Sequence, residues 1–349
     1  MAISIQDRVI GKKKSPFIIA EMSGNHNQSL NRALEIVEAA AQSGAHALKL
    51  QTYTPDTMTL DLSEGDFFIS DENSLWKGRS LYDLYQEAHT PWDWHKSIFD
   101  RARELGLIVF STPFDDTAVD FLEELDVPCY KVASFENTDL PLIRKIASTG
   151  KPMIISTGMA TVAELDDTVR TARESGCNDI ILLKCTSTYP ATPDNTNILT
   201  IPHMRDLFGC EVGLSDHSMG LGVAVASVAL GATVIEKHFT LNRADGGVDS
   251  AFSLEPSEMK ALVEETERAW QGLGHIQYGP TSKEKKSLVF RRSLYICKDM
   301  KAGDVLNKEN VRAIRPGHGL APKFFDLVLG KKVNQDVKRG TGLRWEFIG

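Results

Sequence analysis

Cysteine is scarce in this chain: Cys129, Cys177, Cys185, Cys210 and Cys297 are the five, an odd number with no C-x-x-C pair. That excludes a disulfide framework and a zinc ribbon, and leaves all but Cys185 reading as small buried hydrophobes. Long apolar runs are missing too. No window of about 18 uninterrupted apolar residues occurs, so no membrane span is expected. The first 15 residues hold Lys12-Lys13-Lys14 but no apolar core before a cleavage site, so no secretory leader is expected, and the cytoplasm is the default compartment. Basic charge is in deficit, with 39 Lys and Arg against 47 Asp and Glu, a formal charge of -8. Nucleic acid and anionic membrane are therefore poor partners, because phosphate backbones need a basic footprint. Any phosphate handled here should be small and held by a few placed residues. What remains, 42% hydrophobic and 25% charged over 349 residues, is ordinary for a globular protein of roughly two domains.

Between Phe17 and Gly274, short β-branched runs alternate with longer stretches of helical period. Strands are expected at 17–23, 47–53, 107–113, 129–134, 152–158, 179–187, 211–217 and 233–240. Helices are expected at 29–43, 91–105, 116–125, 140–148, 162–175, 201–208, 219–230 and 255–273. Gly44, Gly106, Gly150, Gly176 and Gly231 stand where a helix must stop before the next strand, which is left-handed C-cap chemistry. Eight β-α pairs favour a closed (β/α)₈ TIM barrel, although the same periodicity also fits an open doubly wound sheet. Residues 54–90 are too long for a routine β-α loop; Leu75-Trp76 and Leu81 to Tyr85 read as a small amphipathic element over one barrel end. After Gly274 the pattern changes. The expected division is a barrel over 1–275, a linker over 276–289 and a small, mostly β, locally basic domain over 290–349, with short strands and turns at 292–297, 301–304, 311–315, 329–333 and 338–340.

A barrel's reactive face lies at the C-terminal ends of its strands, so polar residues should interrupt each apolar run near its end. They do at Glu21 and Ser23, Lys49 and Gln51, Ser111-Thr112, Lys131 with Ser134 and Glu136, Ser156-Thr157, Lys184 to Ser187, Ser215 to His217, and Glu236 to His238. The period of two puts Lys49 with Gln51, Ser215 with His217 and Glu236 with His238 on single strand faces. A charge pointing into a barrel must be paired or bind ligand. Lys49 and Lys131 with Thr112, Ser134, Ser156 and Ser215 could cradle a phosphate or a phosphate-carboxylate; the alternative is that each lysine salt-bridges a neighbouring glutamate. His217 and His238 on consecutive strands could share one divalent cation, and two imidazoles plus oxygens suit Mn²⁺, Fe²⁺, Co²⁺ or Zn²⁺ better than Ca²⁺. His26 is a weaker candidate. His46, His89, His95, His203, His275 and His318 have no partner visible in sequence.

These strings resemble the sialic acid synthase family: Glu21 with Asn25-His26, Lys49-x-Gln51-Thr52, Ser111-Thr112-Pro113-Phe114, Tyr130-Lys131-x-Ala133-Ser134-x-Glu136, Ser156-Thr157-Gly158-Met159, Cys185-Thr186-x-x-Tyr189-Pro190, Ser215-Asp216-His217 and Glu236-x-His238-Phe239. Arg315-Pro316-Gly317 and Leu329-Gly330-Lys331 resemble that family's antifreeze-like (SAF) domain. Within the family, the insertion and the Lys184 to Pro190 string are more similar to the pseudaminic acid synthase branch than to the N-acetylneuraminate branch. Ser187 departs from the asparagine that usually contacts phosphate in the latter.

The resemblance implies condensation of phosphoenolpyruvate with an N-acetylated amino sugar, and, in the pseudaminic branch, with 2,4-diacetamido-2,4,6-trideoxy-L-altropyranose. It implies that His217 and His238 hold a divalent metal, Mn²⁺ first, with Mg²⁺ or Co²⁺ as alternatives. Phosphoenolpyruvate contacts fall to Lys49, Thr112, Lys131, Ser134, Ser156, Ser215 and, at shorter reach, Ser187. Glu21, Gln51, Glu136, Tyr189 and Asp249 face the sugar or the reacting centre, and Glu21 or Glu236 moves the water proton. Arg315 reaches a neighbouring subunit's site, so a domain-swapped homodimer is expected. The same chemistry on another acceptor gives an N-acetylneuraminate or legionaminate synthase. A sugar-phosphate acceptor would need a second cationic cluster, which the sequence lacks, and a catalytically dead binding barrel would not need the run of Lys, Glu and His at the strand ends.

Overall fold

The computed structural model describes residues 2–72 and 74–349. Met1, within the N-terminal segment read for a leader, and Asn73, within the 54–90 insertion, lie outside the described residues. The chain divides into two compact units, Met1–Gly274 and His275–Gly349.

In the first unit eight parallel strands close into a barrel in chain order. They are Phe17–Glu21, Ala47–Thr52, Ile108–Pro113, Tyr130–Val132, Met153–Ser156, Ile180–Cys185, Glu211–Ser215 and Val234–His238, the last pairing back onto the first. Closure settles the choice between barrel and open sheet. Parallel strands covered on both faces must be apolar on both, which is why these runs are continuous rather than alternating until their polar ends. Gly213 has a packing reason of its own: a Cβ there would lie 2.2 Å from the Val234 carbonyl on the neighbouring strand.

The helices start where local chemistry tells them to. Ser29, Asp115, Asp139 and Thr161 each accept a hydrogen bond from a backbone N–H in the first turn of the following helix, satisfying donors that the helix itself leaves open. At the other end, Gly44 (φ 80°) and Gly106 (φ 79°) take the left-handed conformation. The helix expected from 219 is shorter, Gly222–Ala229, and the strand expected at 129–134 pairs only over Tyr130–Val132.

One feature escapes a strand-helix reading. Ile3–Ile5 and Arg8–Ile10 form an antiparallel hairpin whose Ile3, Ile5 and Ile10 join the main core. Arg8 donates to the Pro16 carbonyl and sits over the Phe17 ring, so the hairpin packs at the barrel's N-terminal end, opposite the mouth. The insertion carries short helices Pro55–Met58 and Leu81–Ala88, the latter capped by Ser80. Trp76 Nε1 donates to the Val248 carbonyl at 3.1 Å, tying the insertion to the loop after the last strand, at the C-terminal mouth.

The second unit has its own small core, including Leu294, Ile296, Val311, Val333 and Leu343. Ser293–Ile296 and Val311–Ile314 pair antiparallel. Stretches 329–333 and 338–340 make no extended strand and engage through single bridges such as Val333 with Ile348.

Candidate active site

Register builds the site. Glu21 stands beside Lys49 on one side and His238 on the other, Gln51 beside Thr112, and Ser215 beside Glu236. The result is a buried charge cluster. Lys49 Nζ lies 2.8 Å from Glu21 Oε2 and 3.7 Å from Glu236 Oε2, and Lys131 Nζ lies 3.5 Å from Glu236 Oε1. Lys49 also donates to Thr112 Oγ1, and Ser215 donates to Glu236 Oε1. Gln51 Nε2 donates to Glu21 and to Ser23, whose hydroxyl donates to Asp249. Of the two sequence alternatives for the lysines, the structure shows the ion pairs with neighbouring glutamates.

Two positive and two negative side chains offset one another here, which is what makes their burial tolerable. For Glu236, burial works to raise the pKa, yet Lys131 and Lys49 outweigh it and hold the carboxyl below its ordinary value. For Glu21, burial wins over the pull of Lys49, and the pKa rises. Burial likewise lowers that of Lys131 against the pull of Glu236. Glu136 is pushed up to about 7 by burial, against Lys131. Carboxyls in one cleft with pKa values driven apart are a means of dividing acid and base roles.

The His217 and His238 rings stand 5.3 Å apart, centroid to centroid. His217 Nδ1 lies 3.0 Å from the Thr186 carbonyl, which as a hydrogen bond leaves Nε2 with a free lone pair. Burial, aided by His217 and the lysines, drives the His238 pKa far down, so this imidazole is neutral. Its Nδ1 is buried without a hydrogen bond, with Asp249 Oδ2 the nearest acid at 3.5 Å. His217 differs: burial lowers its pKa, but the Cys185 thiol and the Thr186 carbonyl outweigh that and raise it, and together the two imidazoles could hold a divalent cation. Among the described residues, no group of three or more His, Cys, Asp or Glu forms a closed metal cage.

Other expected residues fall around this centre. Ser187 donates to Ser134 at 2.8 Å, and Gly158 is packed so closely that a Cβ would meet Ser134 at 2.5 Å. Ser156 Oγ and Glu136 Oε2 are buried with no hydrogen-bond partner. Tyr189 packs on His217 and Phe252, with centroids at 4.6 and 5.3 Å. A cavity of about 470 Å³ lies above, lined by Gln51, Ser134, Glu136, Ser187, Tyr189, His238 and Asp249 and by the insertion. Arg315 belongs to the second unit, exposed just after Val311–Ile314.

His26 stays outside the cluster. Its Nδ1 accepts from the Gln28 N–H and its Nε2 meets Thr90 Oγ1, so both nitrogens are committed, and burial pushes its pKa down to about 4. His46 and His95, unpartnered in sequence, bond to the Ile18 N–H and to Thr52 Oγ1, 28 and 43 residues away. Ser23, named in sequence only among the strand-end polar residues, has no role assigned there. Its signal was faint: a strand-end hydroxyl, which the fold places at a left-handed φ of 49° between Gln51 and Asp249.

Fold and site define a class: a (β/α)₈-barrel enzyme with paired Lys-Glu groups and two imidazoles at its mouth, followed by a small β domain. Residues 36–278 match the NeuB family and residues 291–348 the SAF domain; the chain belongs to the NeuB family. It is 46% identical over 331 residues to a pseudaminic acid synthase of Campylobacter jejuni, covering 95% of this chain and 96% of that one. It is 44% identical over 335 residues to a pseudaminic acid synthase of Helicobacter pylori, covering 95% and 98%. Among solved structures, an N-acetylneuraminic acid synthetase of Leptospira borgpetersenii superposes with a TM-score of 0.74 at 30% identity, covering 82% of this chain and 95% of that one.

Proposed function

We propose that this chain condenses phosphoenolpyruvate with 2,4-diacetamido-2,4,6-trideoxy-L-altropyranose and water, giving pseudaminic acid and inorganic phosphate. The observation that carries the reading is the Glu21–Lys49–Glu236–Lys131 cluster beside the two imidazoles, under a cavity of about 470 Å³. In this reading Lys131, with one N–H beyond those that meet Glu236 and the Val132 carbonyl, and Lys49 beside it hold phosphate and carboxylate together with Thr112, Ser134, Ser156, Ser187 and Ser215. The unpartnered Ser156 hydroxyl supports that assignment. Gln51, Glu136, Tyr189 and Asp249 face the sugar.

Carbon 3 of phosphoenolpyruvate bonds to the aldehyde carbon of the open-chain sugar, a hydroxyl from water adds at carbon 2, and the carbon–oxygen bond to phosphate breaks. Glu236, seated between both lysines, takes one proton from water and passes it to the aldehyde oxygen, the second water proton leaves with phosphate, and Glu21, ion-paired with Lys49, keeps that ammonium in place. A divalent cation held by His217 and His238, Mn²⁺ before Mg²⁺ or Co²⁺, supplies Lewis-acid polarisation when bound. Preset cationic groups around the phosphate make the chain's own contribution mainly positioning and electrostatics.

Arg315 reaches the sugar in a partner subunit's site in a domain-swapped homodimer, with 276–289 as the tether between barrel and β domain. Among the described residues no helix is long and apolar enough to cross a membrane, and the cysteines are free; both fit a cytoplasmic enzyme.

The test is a panel of 2-acetamido and 2,4-diacetamido sugars incubated with phosphoenolpyruvate and Mn²⁺, with products read by mass. The altro-configured trideoxy sugar should give the fastest phosphate release, and chelator should abolish it. Faster turnover of N-acetylmannosamine or of the legionaminate precursor would move the chain to another branch of the family.

A further inference from the structure

The cavity over the mouth has two unlike walls. The barrel side carries the charged and amide groups, Gln51, Ser134, Glu136, His238 and Asp249, beside the rings of Tyr53, Phe114 and Phe135. The 54–90 insertion adds Met58, Ile69, Trp76, Leu81 and Leu84, together with one hydroxyl, that of Tyr85. These five side chains carry a single N–H donor, Trp76 Nε1, which is committed to the Val248 carbonyl at 3.1 Å. The wall is fixed in place rather than draped over the mouth. Trp76 packs on Tyr189 at 5.9 Å, and Tyr189 packs on His217 at 4.6 Å, so the apolar surface is linked by ring contacts to the reacting centre.

We propose that this insertion wall selects the acceptor: it takes the methyl-bearing, deoxygenated edge of an amino sugar and disfavours a hydroxyl at the terminal carbon. The proposal rests on the acceptor class given above. A methyl group against Met58, Ile69 and Leu84 gains burial. A hydroxyl against Met58, Ile69 and Leu84 loses water and meets no N–H or O–H on those three side chains, and such a group is costly to bury. An apolar pocket rejects an added hydroxyl by only about 100-fold, so the expected discrimination is moderate.

The experiment compares matched acceptors differing only at carbon 6, N-acetylmannosamine and its 6-deoxy analogue, alongside the diacetamido trideoxy sugar. Each is incubated with phosphoenolpyruvate and Mn²⁺. For a sugar that binds without turning over, dissociation constants from calorimetry replace kcat/KM. The unaltered protein should favour the 6-deoxy member about 10- to 100-fold. Met58→Gln and Ile69→Thr, each giving the hydroxyl a partner, should shrink that ratio about tenfold with the melting temperature held. A ratio near one in the unaltered protein, or an unchanged ratio in both variants, overturns the proposal. If the diacetamido sugar is not turned over while the matched pair keeps its 6-deoxy preference and the variants shrink it, the acceptor assignment fails and the selecting wall stands.

Discussion

Glu136 shows how burial retunes a single carboxyl. Its ordinary value is 4.5, and the folded protein raises it to about 7, with Lys131 opposing the shift and Asp139 adding to it. Between those values the folded state binds more protons than the unfolded chain, so stability falls as pH rises from about 4.5 to about 7. Above that range the full penalty is present. Glu136→Gln should therefore stabilise the protein at pH 8 by roughly 3 kcal/mol, with the gain fading towards pH 4.5, as urea unfolding at the two pH values would measure. Its Oε2 is buried without a partner and borders the cavity, so the strain is stored where a ligand could use it. The sequence exposed the residue types at such positions but not their states. Glu21 and Glu236 read alike as strand-end carboxylates, and only the distances to Lys49 and Lys131 separate them.

At the scale of elements, the last strand presents alternate residues to opposite faces. Glu236 and His238 join the mouth, while Lys237 belongs to the other face, fully buried with Asp216. Lys237 Nζ donates to Asp216 Oδ2 at 2.8 Å and to the Ser218 and Gly220 carbonyls at 2.6 and 3.1 Å. That clamp grips the turn carrying His217. Lys237→Met would leave Asp216 without its cation, held only by the Ser218 N–H and hydroxyl, and should cost about 3–5 kcal/mol in denaturant unfolding. A double-mutant cycle with Asp216→Asn should return a coupling of about 1–3 kcal/mol. Strand periodicity was legible for this element, and so was its polar end. The partner was not, because the two residues meet only through the pairing of neighbouring strands. The N-terminal hairpin was missed for a related reason: strands of three residues carry too little pattern to register.

At the scale of the whole molecule, the expected unit is a dimer in which one chain's Arg315 completes its partner's site. Mixing two inactive variants tests this directly. Arg315→Ala keeps an intact barrel, and Glu236→Gln keeps an intact arginine. If the arginine acts across the dimer, an equal mixture allowed to exchange subunits should recover about a quarter of the unaltered activity, since half the dimers are mixed and each repairs one site. If it acts within its own chain, phosphate release stays at background. The match of 36–278 and 291–348 to two separate descriptions agrees with two compact units, each with its own core.

By itself the sequence determined the eight-fold alternation, the helix caps, the insertion and the kinds of side chain at every strand end, because these depend on local spacing and local hydrogen bonding. Barrel closure, the sharing of Glu236 between two lysines, the commitment of His26 to Thr90 and the insertion's apolar wall were decided only by tertiary structure. Each of those depends on which strands become neighbours and in what register, and a parallel sheet brings such partners together from far apart along the chain.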